Sequence, residues 1–244
     1  MESFNRIFAI IEKEFYLSYN TALGYTFIVL FMFVESLLFF FGIGGNSFWD
    51  RKSSDLGFFF VITPYLLIIF VSAIGMKIWA EEKESGTWEI LFTLPFNEWE
   101  VVLAKYIASC MNVLIALLST IFIPFTVMIF GQPDLGIVFS GYLGVFLVAI
   151  TFVSIVMYFS LFFQTQIGAF LFGFFALSVF YSPFVQKSID FIGKTASDWI
   201  GIFSLQKHFE AFRLGILDPR DLYFYLSINI VFLSLTVIHL KDKR

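Results

Sequence analysis

Long apolar runs separated by short polar interruptions make up this chain, and the length of the runs decides what they are. A helix rises about 1.5 Å per residue, so about 20 apolar residues match a hydrocarbon core roughly 30 Å thick. Six runs reach that length: Ala22–Gly44, Leu56–Trp79, Glu98–Phe130, Ile137–Phe163, Ile167–Gln186 and Pro219–Leu240. Strands of an outer-membrane barrel alternate apolar and polar positions, whereas Phe27–Phe33 is apolar throughout. The expected fold is therefore all-α, one membrane domain over residues 1–244 with six transmembrane helices.

The interruptions carry their own patterns. Residues 1–20 mix Ile7, Phe8, Ile10, Ile11, Phe15 and Leu17 with Arg6, Glu12, Lys13 and Glu14, which suits a helix lying in the membrane interface. Acidic residues and the lack of a short apolar core before a small-residue cleavage site argue against a signal peptide, so this segment is expected to stay on the mature protein.

Between the second and third runs, residues 80–97 hold the densest charge in the chain, with Glu81, Glu82, Lys83, Glu84 and Glu89. Ser85 or Thr87 is suited to cap a short helix that Pro95 stops, with Trp88, Leu91 and Phe92 at i, i+3 and i+4 on one face. This predicts a short amphipathic helix at the membrane surface. Asn97 to Glu100 then reads as a capping box, with Phe96 and Val101 as its hydrophobic staple. The third helix, Glu98 to Phe130, would be about 50 Å long and so extends beyond the bilayer core. A second non-spanning stretch, residues 187–218, carries a helical stripe of Leu205, Phe209, Phe212 and Ile216. It ends in a helix start, with Asp218 as cap, Pro219 at the first position and Asp221 at the third.

Composition agrees with the patterning. Hydrophobic residues make up 59% and charged residues 14%, with a mean hydropathy of +0.87, whereas soluble domains are roughly a quarter charged. A net charge of −4 offers no basic surface for nucleic acid. Cys110 stands alone, which excludes an intrachain disulfide and a cysteine-based metal cluster. Gly193-Lys194-Thr195 has the tail of a phosphate-binding loop, but Ser188 stands where its first glycine belongs. His208 and His239 are the only histidines, and no zinc-protease or serine-elbow motif accompanies them. The chain is expected to be no enzyme by itself, with no catalytic residues, no metal site and no directly bound cofactor.

Glu35 is an ionisable group inside the first run, where such groups face the bundle interior. It is the pathway or gating candidate, with pairing to another span as the competing role; built around Glu35, an ion channel or proton-coupled carrier is the alternative function. Asn112, Asn229 and His239 are expected to make interhelical or interfacial hydrogen bonds, and Pro124 to kink the third span. Basic residues divide eight to seven between the two sides, counting eight on the side of the termini, so charge only weakly places the termini in the cytosol.

Two stretches resemble a known family. Glu84, Gly86, Thr87, Glu89 and Leu91, followed by Leu94-Pro95 and Lys105, are similar to the E-x-G-T-x-E-x-L…P…K signature of ABC-2-type transporter permeases. Gly215, Asp218, Arg220 and Asp221 lie in a stretch similar to an element before the last span in the branch of gliding-motility-associated and nitrous-oxide-reductase-maturation permeases. Leu217 and the order Phe224-Tyr225 depart from it.

The resemblance implies that the helix from Glu84 to Pro95 is a cytoplasmic coupling helix docking on a separate ABC ATPase subunit, two per complex, which supplies ATP and Mg. It implies a cell inner membrane protein with both termini cytoplasmic, and a second permease chain as homo- or heterodimer. Short outer re-entrant helices, and a periplasmic or membrane accessory partner, also follow from it. The ATPase-coupling residues are then Glu81, Glu82, Glu84, Gly86, Thr87, Trp88, Glu89, Leu91, Phe92 and Pro95, with Glu84 and Glu89 making the charged contacts.

Overall fold

In the computed structural model, residues 2–20, 22–42, 47–51, 55–89, 97–181 and 204–243 are described, and among them all regular structure is helical. The helices are α1 (Glu2–Tyr19), α2 (Ala22–Phe41), α3 (Phe48–Arg51), α4 (Gly57–Ile78), α5 (Ala80–Glu84) and α6 (Glu98–Ser119). They continue with α7 (Phe122–Phe130), α8 (Leu135–Ser160), α9 (Gln166–Tyr181), α10 (Leu205–Arg213) and α11 (Pro219–Lys243).

Among the described residues, five stretches are long and apolar enough to cross a membrane: Gly24–Phe41 in α2, α4, Glu98–Phe130 across α6 and α7, α8, and α11. The 16-residue α9 is apolar but shorter, and the remainder of the expected fifth span, residues 182–186, lies outside the described residues. Most of the expected outer segment, residues 187–203, also lies outside them.

The central helix is α8, which packs against α4, α6, α9, α10 and α11. Of its apolar window 72% is buried within the chain, against 17% for α2, so α2 presents most of its surface outward. Close contact between α4 and α8 depends on Gly75, where a Cβ would lie 1.9 Å from the Val156 methyl.

The third apolar run is not one straight helix. Proline at position 124 lacks the N–H that would bond to the carbonyl four residues back, and its ring crowds that carbonyl, which belongs to Thr120. The helix breaks there, between Ser119 and Phe122. Thr120 O instead accepts from the Ile123 N–H at 2.9 Å and from the Tyr142 hydroxyl of α8 at 3.2 Å. At the other end of α6 the capping box forms as expected, with the Asn97 N–H donating to Glu100 Oε2 at 3.1 Å; Phe96 lies outside the described residues.

Candidate functional site

Where α4 ends, Trp79 turns the backbone and α5 follows, five residues that carry Glu81, Glu82, Lys83 and Glu84. Consecutive side chains of this short helix reach different parts of the bundle. Glu82 Oε1 accepts from Lys105 Nζ of α6 at 2.8 Å. The same ammonium donates to Glu14 Oε1 of α1 at 3.0 Å and to the Ile78 carbonyl at the end of α4 at 3.1 Å. Lys105 is 3% exposed, and its three N–H donors meet three acceptors, the condition under which a buried ammonium is tolerated.

Lys83 and Glu84 address two helix ends. The Lys83 ammonium donates to the carbonyl of Leu161, the C-cap residue of α8, where the negative end of the helix dipole favours a cation. Glu84 Oε2 accepts from the backbone N–H of Gln166, the first residue of α9, at 3.0 Å, where an unsatisfied donor and the positive dipole end favour an anion. Burial, reinforced by the positive charge of Lys243, pushes the Lys83 ammonium down to about 8.

Two indoles fill the centre of this polar frame. Trp79 is fully buried, and Trp88 is half-buried with its ring centroid 5.8 Å away in an edge-on arrangement. Lys105 Nζ lies 5.2 Å from the Trp79 ring and Lys83 Nζ 4.7 Å from the Trp88 ring, both within cation–π range. Trp88 thus packs against Trp79 of its own chain. Leu91, Phe92 and Pro95 lie outside the described residues.

Local backbone geometry explains the Ser85-Gly86-Thr87 stretch. Gly86 has φ +74°, a left-handed conformation that L side chains rarely adopt, and its N–H bonds to Lys83 O at 3.3 Å, closing α5. A Cβ there would meet nothing within 4 Å, so the requirement is conformational. The Ser85 and Thr87 hydroxyls lie 3.3 Å from Glu82 O and 2.9 Å from each other. They therefore close the end of α5, and Thr87 directly precedes a helical start at Trp88, whose continuation from residue 90 lies outside the described residues. Glu81 and Glu89 are exposed.

The second motif closes the opposite end of the bundle. Gly215 has φ +85° and ends α10 in a Schellman arrangement, with its own N–H bonding to Phe212 O and that of Ile216 to Ala211 O. Asp218 Oδ1 accepts from the Arg220 N–H at 2.9 Å, which caps α11 as expected. Asp221 reaches the Nδ1 of His208 on α10 at 2.6 Å, and the His208 ring stacks on Phe224 at 3.8 Å. The Tyr225 hydroxyl donates to Leu205 O at 2.7 Å, so α10 and α11 are held by a continuous polar and aromatic seam.

Glu35 lies on α2, outside both motifs. It is 1% exposed and accepts a hydrogen bond at Oε1 from Thr63 of α4, a partner on another span. Its Oε2 is buried without a partner among the described residues. Asn229 bridges α6 and α8, accepting from Tyr106 at 3.1 Å and donating to Thr151 at 3.0 Å, while Asn112 donates to Ser18 of α1 at 3.4 Å.

The charged frame therefore joins residues that the sequence motif singled out, Glu82, Glu84, Gly86, Thr87, Trp88 and Lys105, to others it did not. Lys83, Glu14, Leu161 and Gln166 belong to the second group. Lys83 could have been noticed as the only cation within an acidic run; Leu161 and Gln166 take part through backbone atoms, which leave no side-chain signal.

The described helices make the chain a multi-pass helical membrane protein. Residues 8–236 match the family described as ABC-2 family transporter protein, nearly the whole chain, so the chain belongs to that family. A comparison with curated proteins gives no match.

Proposed function

We propose that this chain is the membrane-spanning permease subunit of an ABC transporter, and that the segment Glu81–Pro95 couples it to a separate ATPase subunit. The observation that carries the reading is the set of links from α5: Glu82 through Lys105 to α1 and α6, Lys83 to the end of α8, and Glu84 to the start of α9. A push on this segment is passed at once to four helices, which is what a mechanical input to a helix bundle needs.

In this reading the segment faces the cytosol, both termini lie on that side of an inner membrane, and the exposed Glu81 and Glu89 meet a basic rim on the ATPase. Two ATPase subunits, each holding ATP and Mg, act on two permease chains, alike or different. ATP-driven closure moves the paired bundles, either exporting a substrate or driving a periplasmic or membrane accessory partner. The Gly215–Asp221 element, similar to that of the gliding-motility and nitrous-oxide-reductase-maturation branch, closes the outer end. Copurification of the chain with its ATPase tests the proposal. Substitution of Glu84 and Gly86 is expected to lower ATPase activity in the complex; unchanged complex formation together with unchanged activity would sink it.

Glu35 favours a second reading, in which proton movement is part of the cycle. A buried carboxyl group in a membrane span, with one oxygen unpartnered among the described residues, suits a proton carrier. Loss of transport in Glu35→Gln with ATPase stimulation intact would support it, and full activity would remove it.

A further inference from the structure

Among residues 24–41 of α2, the buried ones are Phe31, Glu35 and Phe39, spaced i, i+4 and i+8 along one stripe. Each meets α4. Phe31 lies edge-on to Phe70 with ring centroids 4.9 Å apart, Glu35 bonds to Thr63, and Phe39 lies edge-on to Phe59 at 6.0 Å. The seam between the two helices is therefore aromatic, with one polar rung in it. Among the described residues no ion pair reaches Glu35 from α1, α3, α4 or α6, the helices packed on α2. Tyr142 of α8 is the titratable group within electrostatic range, and its hydroxyl donates to Thr120 O instead.

A hydroxyl carries one hydrogen, yet Thr63 Oγ1 contacts two acceptors, Glu35 Oε1 and the Phe59 carbonyl one turn back, the latter at 2.7 Å. With Glu35 ionised, only one of the two receives that hydrogen. With a proton on Glu35 the bond between the side chains reverses: the carboxyl O–H donates to Thr63 Oγ1, Thr63 donates to Phe59 O, and both bonds form together. Glu35 Oε2 is buried without a partner among the described residues, and a neutral carbonyl oxygen tolerates this far better than one sharing a negative charge.

We propose that Glu35 binds a proton, and that the protonated side chain, donating to Thr63, latches α2 to α4 inside the membrane. Release of the proton to solvent leaves an unpaired charge in an aromatic seam. Of the five candidate spans α2 is the least buried, so it is the element free to move away. Phe27, Ile28 and Phe31 of α2 and Leu67, Phe70 and Val71 of α4 line a cavity of about 500 Å³, and parting the seam opens that cavity between the two helices. The latch goes beyond the proton-movement reading, because a proton that stays in place throughout a cycle fastens the helices equally well.

Infrared spectroscopy of the full chain in nanodiscs, comparing the wild type with Glu35→Gln, tests this. At neutral pH the wild type is expected to show a carboxylic acid C=O band that shifts down in heavy water and is absent from Glu35→Gln. Thr63→Val keeps the shape of its side chain but removes the acceptor, and is expected to move the band to higher frequency. Spin labels at the exposed positions Phe33 of α2 and Ile69 of α4 report the seam. As pH is raised, their separation is expected to hold while the band persists and to lengthen as it disappears. Absence of an acid band at neutral pH, a band unmoved by Thr63→Val, or a separation that does not follow the band would overturn the proposal. The Thr63→Val shift stays readable if Glu35→Gln fails to fold. Neither measurement needs transport or an ATPase, so the result is separate from that of the proton-movement reading.

Discussion

Glu84 accepts a hydrogen bond from the backbone N–H of Gln166 across 82 positions of sequence, at 3.0 Å, and so fastens α5 to the first turn of α9. Its neighbour Lys83 fastens α5 to the last turn of α8, and the α8–α9 turn is thereby gripped from both sides by opposite charges matched to the helix dipoles.

Glu84→Ala leaves the first N–H of α9 without its acceptor. The expected loss is about 1 kcal/mol, the usual cost of removing a helix cap, seen as a lower midpoint in thermal unfolding of the purified protein. Glu84→Gln keeps an acceptor oxygen and is expected to lose about half as much.

Lys105→Met removes the cation shared by Glu14 and Glu82 and leaves two carboxylates facing each other. Breaking a buried ion pair on one side costs about 3–5 kcal/mol, so strongly reduced thermal stability and yield are expected. The triple variant that adds Glu14→Gln and Glu82→Gln to Lys105→Met is expected to recover part of the loss.

Gly86→Ala forces a Cβ into a left-handed conformation at a cost of about 1–2 kcal/mol, without any steric clash. Gly86→Asn, which tolerates this conformation better, is expected to be milder. Equal effects of the two, measured by unfolding, would indicate that the backbone angle is not what matters there.

Stability should also respond to pH through Lys83. Folded Lys83 releases its proton near 8, whereas the ordinary value is 10.5, so between these two the unfolded chain holds more protons. Stability is therefore expected to rise as pH increases through that window. Lys83→Met is expected to flatten this rise, as followed by unfolding midpoints across the window.

Short-range patterns were legible in the sequence. Apolar run length located five of the six expected spans among the described residues; the Asn97–Glu100 spacing located the start of α6, and Asp218-Pro219 the start of α11, because each of these two depends on residues within one helical turn. The broken third helix was half legible: Pro124 announced a kink, but its place at Thr120 follows from the carbonyl four residues earlier. Contacts at long separation were not legible, since nothing in Lys83 or Glu84 names Leu161 or Gln166 as a partner. Glu35 was visible as an anomaly, while its partner Thr63 was one hydroxyl among many. Trp88 shows the limit of face patterns, because a helical stripe gives a direction around an axis and not what the axis lies against.

The central claim is that the surface beside α5 receives an ATPase. A photo-crosslinking residue placed at the exposed Glu89, in membranes containing the ATPase subunit, tests it most directly, with the same residue at the exposed Leu217 of the opposite end as reference. A crosslink to the ATPase from position 89 that changes with ATP, and none from position 217, is the predicted result. No crosslink from position 89, or labelling of that position by a membrane-impermeant reagent from outside the cell, would contradict the account.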